Sequence, residues 1–466
     1  MSILKNTMNV HFIGIGGISM SGLAEILRSQ GFSVRGSDNI NSETTKRLQE
    51  KGIEVITPNS KDNIDKAIDL VVYTAAVKKN NPEYVEAKKM GLPLLERAEL
   101  IKHMLTNYKK AICISGTHGK TTTTSMLSDV LCFLGKNPTV SLGGNMVSSG
   151  MNYRVGGDDI FLLEACEFNN SFLRWSPFVG VILNLDYDHP DTYKDLGDMV
   201  ASFSKFAQNV QPGGFLVVNK TIPEFDTVVE KTRATVITIG PENSGANFWP
   251  KNIKCIGGKT EFVVMQDKTP TANVCLPLPG EFSAMNALAC FAVCHLLGVD
   301  ATLVAQGLAK VKGTKRRFEY KGSYMGIEIY DDYAHHPTEI KASLKAFREF
   351  VNPGGRLFCI FQPHTYSRTK HLLGDFSKSF GDADIVLLLP IFAAREVFDG
   401  EISSEMLAEG ISANGVCAIP FEKFDKAGNF IIQEVKEGDV VVTLGAGEAY
   451  KIGDELVGEK FSTLST

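Results

Sequence analysis

Short apolar runs alternate along the chain with longer segments whose apolar positions have helical spacing. The segment from Met8 to Ala24 predicts a strand, a glycine turn and a helix that ends near Gly31, and a second strand follows over Phe32–Asp38. This order predicts a βαβ unit with parallel strands. Similar strand candidates recur in three blocks: Gly52–Ile56 and Leu70–Ala76; Asp159–Glu164 and Val179–Leu185; Gly326–Asp332, Arg356–Phe361, Ile385–Leu389 and Val440–Leu444. We therefore predict an α/β fold with mostly parallel sheets.

Helical spacing predicts helices over 284–297, 339–350 and 371–380. The first of these carries Cys290, Cys294 and His295 on one face. Because the surrounding residues are apolar, a buried helix explains this face better than a metal site does. The basic segment Val311–Phe318 is predicted to be a joint between domains.

Composition describes an ordinary globular protein, since 44% of the 466 residues are apolar and 22% are charged. The net charge of −5 gives no electrostatic reason to expect nucleic-acid binding. Nine cysteines without a CxxC pair predict reduced thiols in a cytoplasmic protein. We expect no membrane insertion, because the N-terminus has no signal-peptide profile and apolar stretches are short.

A glycine-rich turn follows the apolar run that ends at Ile114, with the sequence SGTHGKTTTT. A strand, such a turn and a helix that opens with Lys-Thr are typical of a nucleoside triphosphate site. Lys120 is predicted to reach the β- and γ-phosphates, and Thr121 is predicted to bind Mg²⁺. Only two residues separate Gly116 from Gly119, which makes the turn a shortened relative of the common P-loop. The alternative is a threonine-rich helix cap.

Acidic residues end the next strands of this block. Glu164 closes one apolar run, and a carboxylate there can bind a hard cation such as Mg²⁺. The sequence NLDYDHPD, which begins at Asn184, offers three acids and the imidazole of His189. The alternative for this stretch is a polar loop in which Asp191 caps the following helix.

The first glycine turn, GIGGIS from Gly14, resembles a dinucleotide-binding turn, and Asp38 lies about 20 residues further on, where a ribose-binding acid is expected. Ser19 stands where that motif prefers glycine or alanine. A nucleotide ligand follows from this pattern, although a purely structural turn remains the alternative.

Two further loops follow strands of the third block. The sequence DDYAHHPTE, from Asp331, predicts a loop that faces substrate or nucleotide, with helix capping by Thr338 as the alternative. Adjacent histidines cannot both face the same way, so His335 and His336 do not suggest paired metal binding. Arg368 can bind a carboxylate through two hydrogen bonds, or it is a solvated arginine.

Together these motifs resemble the Mur ligases, in the order of that family and over nearly the whole chain. The segments that carry the resemblance are Gly14–Ala24, Gly116–Thr124, Glu164–Phe172, Asp186–Asp191, Lys315–Phe318, Asp331–Pro337, His364–Thr369 and Leu444–Glu448. The resemblance is greatest to the members that add L-alanine to UDP-N-acetylmuramate. It implies three domains: a Rossmann-like UDP-sugar-binding domain over 1–108, a P-loop-like ATPase domain over 109–318, and a Rossmann-like domain over 319–466 that closes over both.

The resemblance also implies roles for individual residues. Lys120 and His118 are expected to be catalytic, with His118 beside the muramyl carboxylate. The expected ATP-binding residues are Gly116, Thr117, His118, Gly119, Lys120, Thr121, Thr122, Asn286, Arg317 and Asp332. The UDP-sugar is expected on Gly14, Gly16, Gly17, Ser37 and Asp38, and L-alanine on Tyr333 and Arg368. The expected Mg²⁺ ligands are Thr121, Glu164 and His189.

The sequence departs from the family pattern at two places. Phe282-Ser283 stand where His-Asn is frequent, and Cys166 stands where aspartate is more frequent. The sequence does not identify the base that deprotonates the amine, for which His335 and His336 are both candidates. The oligomeric state is either monomer or homodimer. Three other functions remain possible at this point: a tripeptide-adding ligase of peptidoglycan recycling, an NAD-dependent oxidoreductase, and a non-catalytic UDP-sugar sensor.

Overall fold

The computed structural model describes residues 3–189, 192–394, 396–398 and 400–458. Its first block is a parallel sheet with helices on its faces. The elements are a 3₁₀ helix (Ile3–Asn6), β1 (Asn9–Ile13), α1 (Ile18–Ser29), β2 (Ser33–Ser37), α2 (Glu43–Glu50), β3 (Glu54–Ile56), a 3₁₀ helix (Lys61–Asn63), β4 (Leu70–Tyr73), α3 (Pro82–Lys89), β5 (Leu94–Glu96) and α4 (Arg97–Leu105). The strand order is β3-β2-β1-β4-β5. The chain changes direction across the sheet at β1, so a crevice opens beyond the carboxyl end of this strand, as is usual in such sheets.

The predicted βαβ start is confirmed. Buried Val10 and Phe12 make β1 a core strand, and α1 ends where Gly31 adopts a positive φ of 93°. The Phe32 N–H then bonds to the Leu27 carbonyl, which closes the helix end in a Schellman motif. The turn after β1 is thereby held between two fixed elements.

The second block is a ten-stranded mixed sheet. Its elements are β6 (Lys110–Ser115), α5 (Lys120–Phe133), β7 (Thr139–Ser141), β8 (Tyr153–Arg154), β9 (Ile160–Glu164), a 3₁₀ segment (Phe168–Arg174), β10 (Val179–Ile182), α6 (Leu196–Asn209), β11 (Phe215–Asn219), α7 (Phe225–Val229), β12 (Thr235–Ile239), β13 (Phe248–Ile256), β14 (Lys259–Gln266), β15 (Thr269–Leu276), α8 (Glu281–Leu296) and α9 (Ala301–Leu308). The order is β15-β14-β13-β12-β11-β10-β6-β9-β7-β8. Cys290 and Cys294 are buried in α8, as the apolar pattern predicted.

The third block is a six-stranded sheet with its own core on each face. Its elements are β16 (Glu319–Tyr324), β17 (Ile327–Asp332), α10 (Pro337–Arg348), β18 (Leu357–Phe361), α11 (Tyr366–His371), α12 (Leu373–Ser377), β19 (Ile385–Leu388), α13 (Ser404–Ala413), β20 (Cys417–Pro420), α14 (Phe424–Glu434), β21 (Val440–Leu444) and α15 (Tyr450–Val457). The order is β16-β17-β21-β18-β19-β20, and β16 alone of these strands runs antiparallel to its neighbour.

The α/β class with mostly parallel pairing is confirmed, with two local differences. The helix predicted over 371–380 is wrong in its extent, because Leu372 (φ −103°) leaves the helical region and separates α11 from α12. The antiparallel strands β13, β14 and β15 were not predicted. In the described part of the chain, no helix has the length and apolar character that a bilayer crossing needs.

Candidate active site

The glycine-rich turn joins β6 to α5 and is packed against two other elements. Gly116 and Gly119 have positive φ values of 135° and 79°. A Cβ on Gly116 would lie 3.1 Å from the Asn184 backbone nitrogen, and one on Gly119 would lie 2.7 Å from Asn286 Oδ1. Both positions therefore require glycine, because they combine a left-handed backbone with close contacts. The N-terminus of α5, which favours anions, opens at this turn.

Lys120 is folded back over the turn. Its Nζ donates to the carbonyl oxygens of Gly116 (2.6 Å) and Thr117 (2.9 Å) and lies 2.9 Å from Glu167 Oε2. Burial alone would lower the pKa of Lys120, but the charge of Glu167 outweighs it and raises that pKa above its usual range. The turn therefore holds a permanent cation. Glu167, which lies in the Glu164–Phe172 segment but was assigned no role there, is its counter-ion.

Two of the three predicted metal ligands, Thr121 and Glu164, contact each other, whereas the third, His189, lies beside a different carboxylate, that of Glu167. Thr121 Oγ1 lies 2.9 Å and 3.0 Å from the two carboxylate oxygens of Glu164. His189 Nε2 instead lies 3.5 Å from Glu167. Hydroxyl and carboxylate oxygens are the donors that Mg²⁺ prefers, so Thr121 and Glu164 fit this ion. Asp191, the predicted cap, lies outside the described residues.

His118 connects the second block to the third. Its Nε2 lies 3.2 Å from Asp186, and its Nδ1 lies 3.2 Å from Glu339 on α10. Burial alone would lower the pKa of His118, but hydrogen bonds to these two carboxylates raise it to about 9. The imidazole is thus a cation at neutral pH and joins the phosphate loop to the third block.

Side-chain ligand atoms of His118, Asp186 and His336 lie within 4.8 Å of one another, a spacing that a metal ion could use. Each of these groups already has a hydrogen-bond partner. Asp186 Oδ2 accepts from Thr338 Oγ1 at 2.7 Å, and His336 Nδ1 accepts from the Thr338 N–H. We interpret the trio as a hydrogen-bond network between the second and third blocks.

A cavity of about 350 Å³ opens beside this turn, between the second and third blocks. Six of the predicted ATP-binding residues line it: His118, Gly119, Thr122, Asn286, Arg317 and Asp332. Both Asp332 oxygens accept backbone N–H groups, from Phe318 and Ala334. Burial raises the pKa of Asp332 to about 6, against the opposing charge of Arg317. The lining also includes Phe282, to which the sequence gave no role, and Glu339, the last residue of the stretch predicted to face substrate or nucleotide.

A second cavity, of about 730 Å³, lies beyond the carboxyl ends of the strands of the first block. Gly14, Gly17 and Asp38 line it, and Asp38 Oδ2 accepts the Gly16 N–H at 2.9 Å. Ser37 is placed differently, because it is fully buried and its hydroxyl bonds to Glu83. Residues that sequence patterns gave no role also line this cavity, among them Asn39, Asn59, Asn81, Arg97 and Asn169.

The two residues expected to bind alanine lie in the third block and are linked through histidines. Arg368 is buried, and its Nε and Nη2 donate to Asp188 Oδ1 at 3.1 and 2.9 Å. Its Nη1 lies 3.3 Å from His364, whose ring is 6.0 Å from that of His335. The His335 ring lies 5.3 Å from that of Tyr333. The Asp188 carboxylate thus accepts the guanidinium hydrogen bonds that Arg368 was expected to donate to a substrate carboxylate.

Family models cover most of the chain. The Mur ligase catalytic-domain model matches residues 9–109, the Mur ligase middle-domain model matches 114–294, and the glutamate ligase domain model of the same family matches 316–447. The chain belongs to the Mur ligase family. The resemblance noted from its motifs is confirmed.

Relatives of this Mur ligase match it from end to end. The UDP-N-acetylmuramate–L-alanine ligase of Agathobacter rectalis is 44% identical over 451 residues, which span 97% of this chain and 98% of that protein. The enzyme of the same name from Clostridium novyi is 44% identical over 449 residues, 96% of this chain and 97% of that protein. A crystal structure of UDP-N-acetylmuramate–alanine ligase from Thermotoga maritima is 30% identical, covers 98% of this chain and 100% of its own, and has a TM-score of 0.81. The murein peptide ligase of Psychrobacter arcticus, at 22% identity and a TM-score of 0.71, shares the fold.

Proposed function

We propose that this Mur ligase uses ATP to join L-alanine to the carboxylate of UDP-N-acetylmuramate, an early cytoplasmic step of peptidoglycan synthesis. The observation that carries the proposal is the glycine turn with partly buried Lys120, together with the cavity lined by Asn286 and Arg317 and the Thr121–Glu164 pair. Relatives named for alanine addition, matched from end to end, support alanine over a tripeptide as the second substrate.

The reaction we propose has two steps. A muramyl carboxylate oxygen attacks the γ-phosphorus of ATP, ADP leaves, and an acyl phosphate forms. The alanine amine then attacks the acyl carbon, inorganic phosphate leaves, and the amine loses a proton. Lys120 and the α5 N-terminus oppose the charge that develops on the transferred phosphoryl group, which is chiefly electrostatic catalysis. His118 is proposed to lie beside the muramyl carboxylate, as the family resemblance implies.

Thr121 and Glu164 would hold Mg²⁺, with His189 as a third proposed ligand through the family resemblance. The ion would supply charge neutralisation at the phosphates. The boundaries at residues 108 and 318, and the monomer or homodimer state, also remain proposals.

Alanine is proposed to bind between Tyr333 and Arg368, and His335 is the better of the two candidates for the base. His336 uses both ring nitrogens, because Nε2 donates to the Tyr187 carbonyl and Nδ1 accepts from Thr338. His335 Nδ1 donates to the Tyr333 carbonyl at 2.9 Å, so Nε2 keeps its lone pair. Burial lowers the pKa of His335 to about 3 and also lowers that of His336, so the preference for His335 rests on its hydrogen-bond geometry alone.

The test is phosphate release by the purified chain with ATP, Mg²⁺, UDP-N-acetylmuramate and one amine at a time. We expect release with L-alanine, and much less with the tripeptide of recycled peptidoglycan or with other amino acids. Release only with the tripeptide would select the recycling ligase. A nicotinamide absorbance change, or UDP-sugar binding without any phosphate release, would favour the oxidoreductase or the sensor.

A further inference from the structure

The segment that joins β7 to β8 is packed against the first block of the chain. Asn152, which is 3% exposed, donates from its amide Nδ2 to the Ile18 carbonyl at 2.8 Å. Ile18 is the first residue of α1 and directly follows the first glycine turn. The 730 Å³ cavity is lined here by Gly14, Gly17, Ile18 and Ser19. The second block therefore contacts the first where the proposed UDP-sugar site begins.

A second contact extends along the same face of α1. Gly22 follows Ile18 by one helical turn, and a Cβ on Gly22 would lie 3.0 Å from Tyr153 Cβ. The Tyr153 hydroxyl contacts buried Glu25, and Lys51 Nζ donates to each of these two groups at 2.5 Å. Positions 18, 22 and 25 share one face, because residues three and four apart are neighbours on a helix. The second block thus holds α1 at its first turn and along its length.

β8 is connected to the phosphate loop through the sheet of the second block. It pairs with β7, β7 pairs with β9, and β9 pairs with β6, the strand that leads into the glycine-rich turn. Glu164 ends β9, and the Gly143 N–H, in the loop after β7, donates to its Oε2 at 2.6 Å. Register is strongly specified in a buried sheet, so the place of Asn152 relative to the phosphate loop is fixed.

The 730 Å³ cavity is formed by both blocks. Most of its lining residues belong to the first block, whereas Phe168, Asn169 and Ser171 come from the second. A ligand bound here is held mainly by the first block, while the phosphate loop with Lys120 belongs to the second. The direction in which such a ligand faces Lys120 therefore depends on how α1 is seated on β8.

We propose that Asn152 and Tyr153 are positioning residues, which hold α1 so that the carboxylate of a UDP-sugar in the first block reaches the phosphate loop of the second. The inference rests on the proposed function, because that reaction supplies the carboxylate. Neither residue lines the cavity, so both act through α1 rather than by touching the substrate. Orientation of reacting groups supplies much of an enzymatic rate, and a misplacement of about 1 Å can cost about 10²-fold.

The test separates kcat from substrate affinity in Asn152→Ala and in Tyr153→Phe, which keeps the ring against Gly22. We expect kcat for phosphate release to fall by about 10-fold or more in Asn152→Ala and by at least about 3-fold in Tyr153→Phe, because the carboxylate is less well oriented. Calorimetric affinities for UDP-N-acetylmuramate and for a non-hydrolysable ATP analogue should each change by less than about 3-fold, since both sites keep their own residues. Asn414→Ala, which removes an exposed amide that donates to the Gly410 carbonyl at 2.8 Å, is the matched control.

Hydrogen exchange of the segment 14–23, measured by mass spectrometry without substrates, gives a readout that does not depend on activity. Exchange there should be faster in Asn152→Ala than in the control, because the first turn of α1 loses its contact with the second block.

Three results would each overturn the proposal. They are a kcat in Asn152→Ala within about 2-fold of the control, a UDP-sugar affinity that falls in proportion to kcat, and exchange equal to that of the control. If Asn152→Ala does not fold, Tyr153→Phe decides by the same criteria. A wild-type chain that releases no phosphate refutes the ligase reaction, and the exchange measurement then decides the positioning of α1 by itself.

Discussion

Lys120 is a partly buried cation whose partners are the loop carbonyls of Gly116 and Thr117 and the carboxylate of Glu167. A triphosphate that enters this turn meets an ammonium group already in place. Because Glu167 is fully buried, the pair is shielded from solvent screening, and a charge at this point acts strongly on a phosphate.

Replacing Lys120 by alanine should abolish ligation. We expect phosphate release to decrease by about 10²- to 10³-fold or more, because a charge that stabilises the transferring phosphoryl group is lost. Binding of UDP-N-acetylmuramate, measured by calorimetry without ATP, should change little, because Lys120 does not line the 730 Å³ cavity of the first block. Near-normal turnover by this variant would refute the phosphate-loop assignment.

Replacing His118 by glutamine should remove a pH-dependent part of the stability. The folded-state pKa of about 9 lies above the ordinary 6.5, so the ion pairs of His118 contribute fully below pH 6.5 and are lost as pH rises through 9. The wild type should exceed the variant in unfolding free energy by roughly 1–3 kcal/mol at acidic to neutral pH, and the two should converge above about pH 10. Chemical unfolding across this range checks it, and a pH-independent difference would contradict the assigned charge.

At the residue scale, the sequence predicts side chains that follow strands and turns directly, such as Lys120, Thr121 and Glu164. It does not predict their partners from distant segments. Glu167 and Glu339 lie within motif segments, but only the tertiary fold brings them to Lys120 and His118. The burial of Ser37 was likewise hidden, because its position beside Asp38 says nothing about which face of the sheet it occupies.

The glycine turn after β1 depends on close contact between two strands. A Cβ on Gly36, in β2, would lie 2.6 Å from the Phe12 carbonyl oxygen and 2.7 Å from Ile15 Cδ1. Gly36→Ala should therefore lower stability by about 1–3 kcal/mol, as overpacking does, and raise the KM for the UDP-sugar by displacing Ile15. Urea unfolding and steady-state kinetics measure both effects.

Gly374→Ala is the matched control, because nothing lies within 4 Å of a Cβ at this position in α12. Equal stability of the two variants would show that the β1–β2 contact is not what constrains the turn.

At the element scale, apolar runs locate the buried strands well, and β21 has the predicted limits. The β13–β15 meander was missed because its strands are half-exposed, so their apolar positions are interrupted by polar ones, and because they form one end of the sheet. The break at Leu372 was missed because periodicity continues across it.

At the scale of the molecule, the third block is attached to the second through polar contacts around the site. Arg368 pairs with Asp188, Thr338 bonds to Asp186, and His118 pairs with Glu339. Burial alone would raise the pKa of Asp188, but the Arg368 charge outweighs it and lowers that pKa. These contacts bring residues of both blocks around the proposed reacting groups. Sequence motifs identify several of these residues but do not predict the contacts between them.

Arg368→Ala should raise the KM for alanine by about 10- to 100-fold, because the variant loses the carboxylate partner and leaves Asp188 buried without its counter-ion. Affinity for the ATP analogue should change little. Arg348→Ala, which breaks the exposed pair with Asp384 in the same block, is the control and should have a small effect. Steady-state kinetics with varied alanine measures the difference, and an unchanged alanine dependence would remove Arg368 from this role.

The central claim is that ATP activates the sugar-borne carboxylate, and isotope transfer tests it most directly. UDP-N-acetylmuramate labelled with ¹⁸O in its carboxylate is converted with ATP and L-alanine, and the released phosphate is analysed by mass spectrometry. An acyl phosphate intermediate predicts that each phosphate carries one oxygen from the carboxylate. Phosphate released without that label would contradict the account.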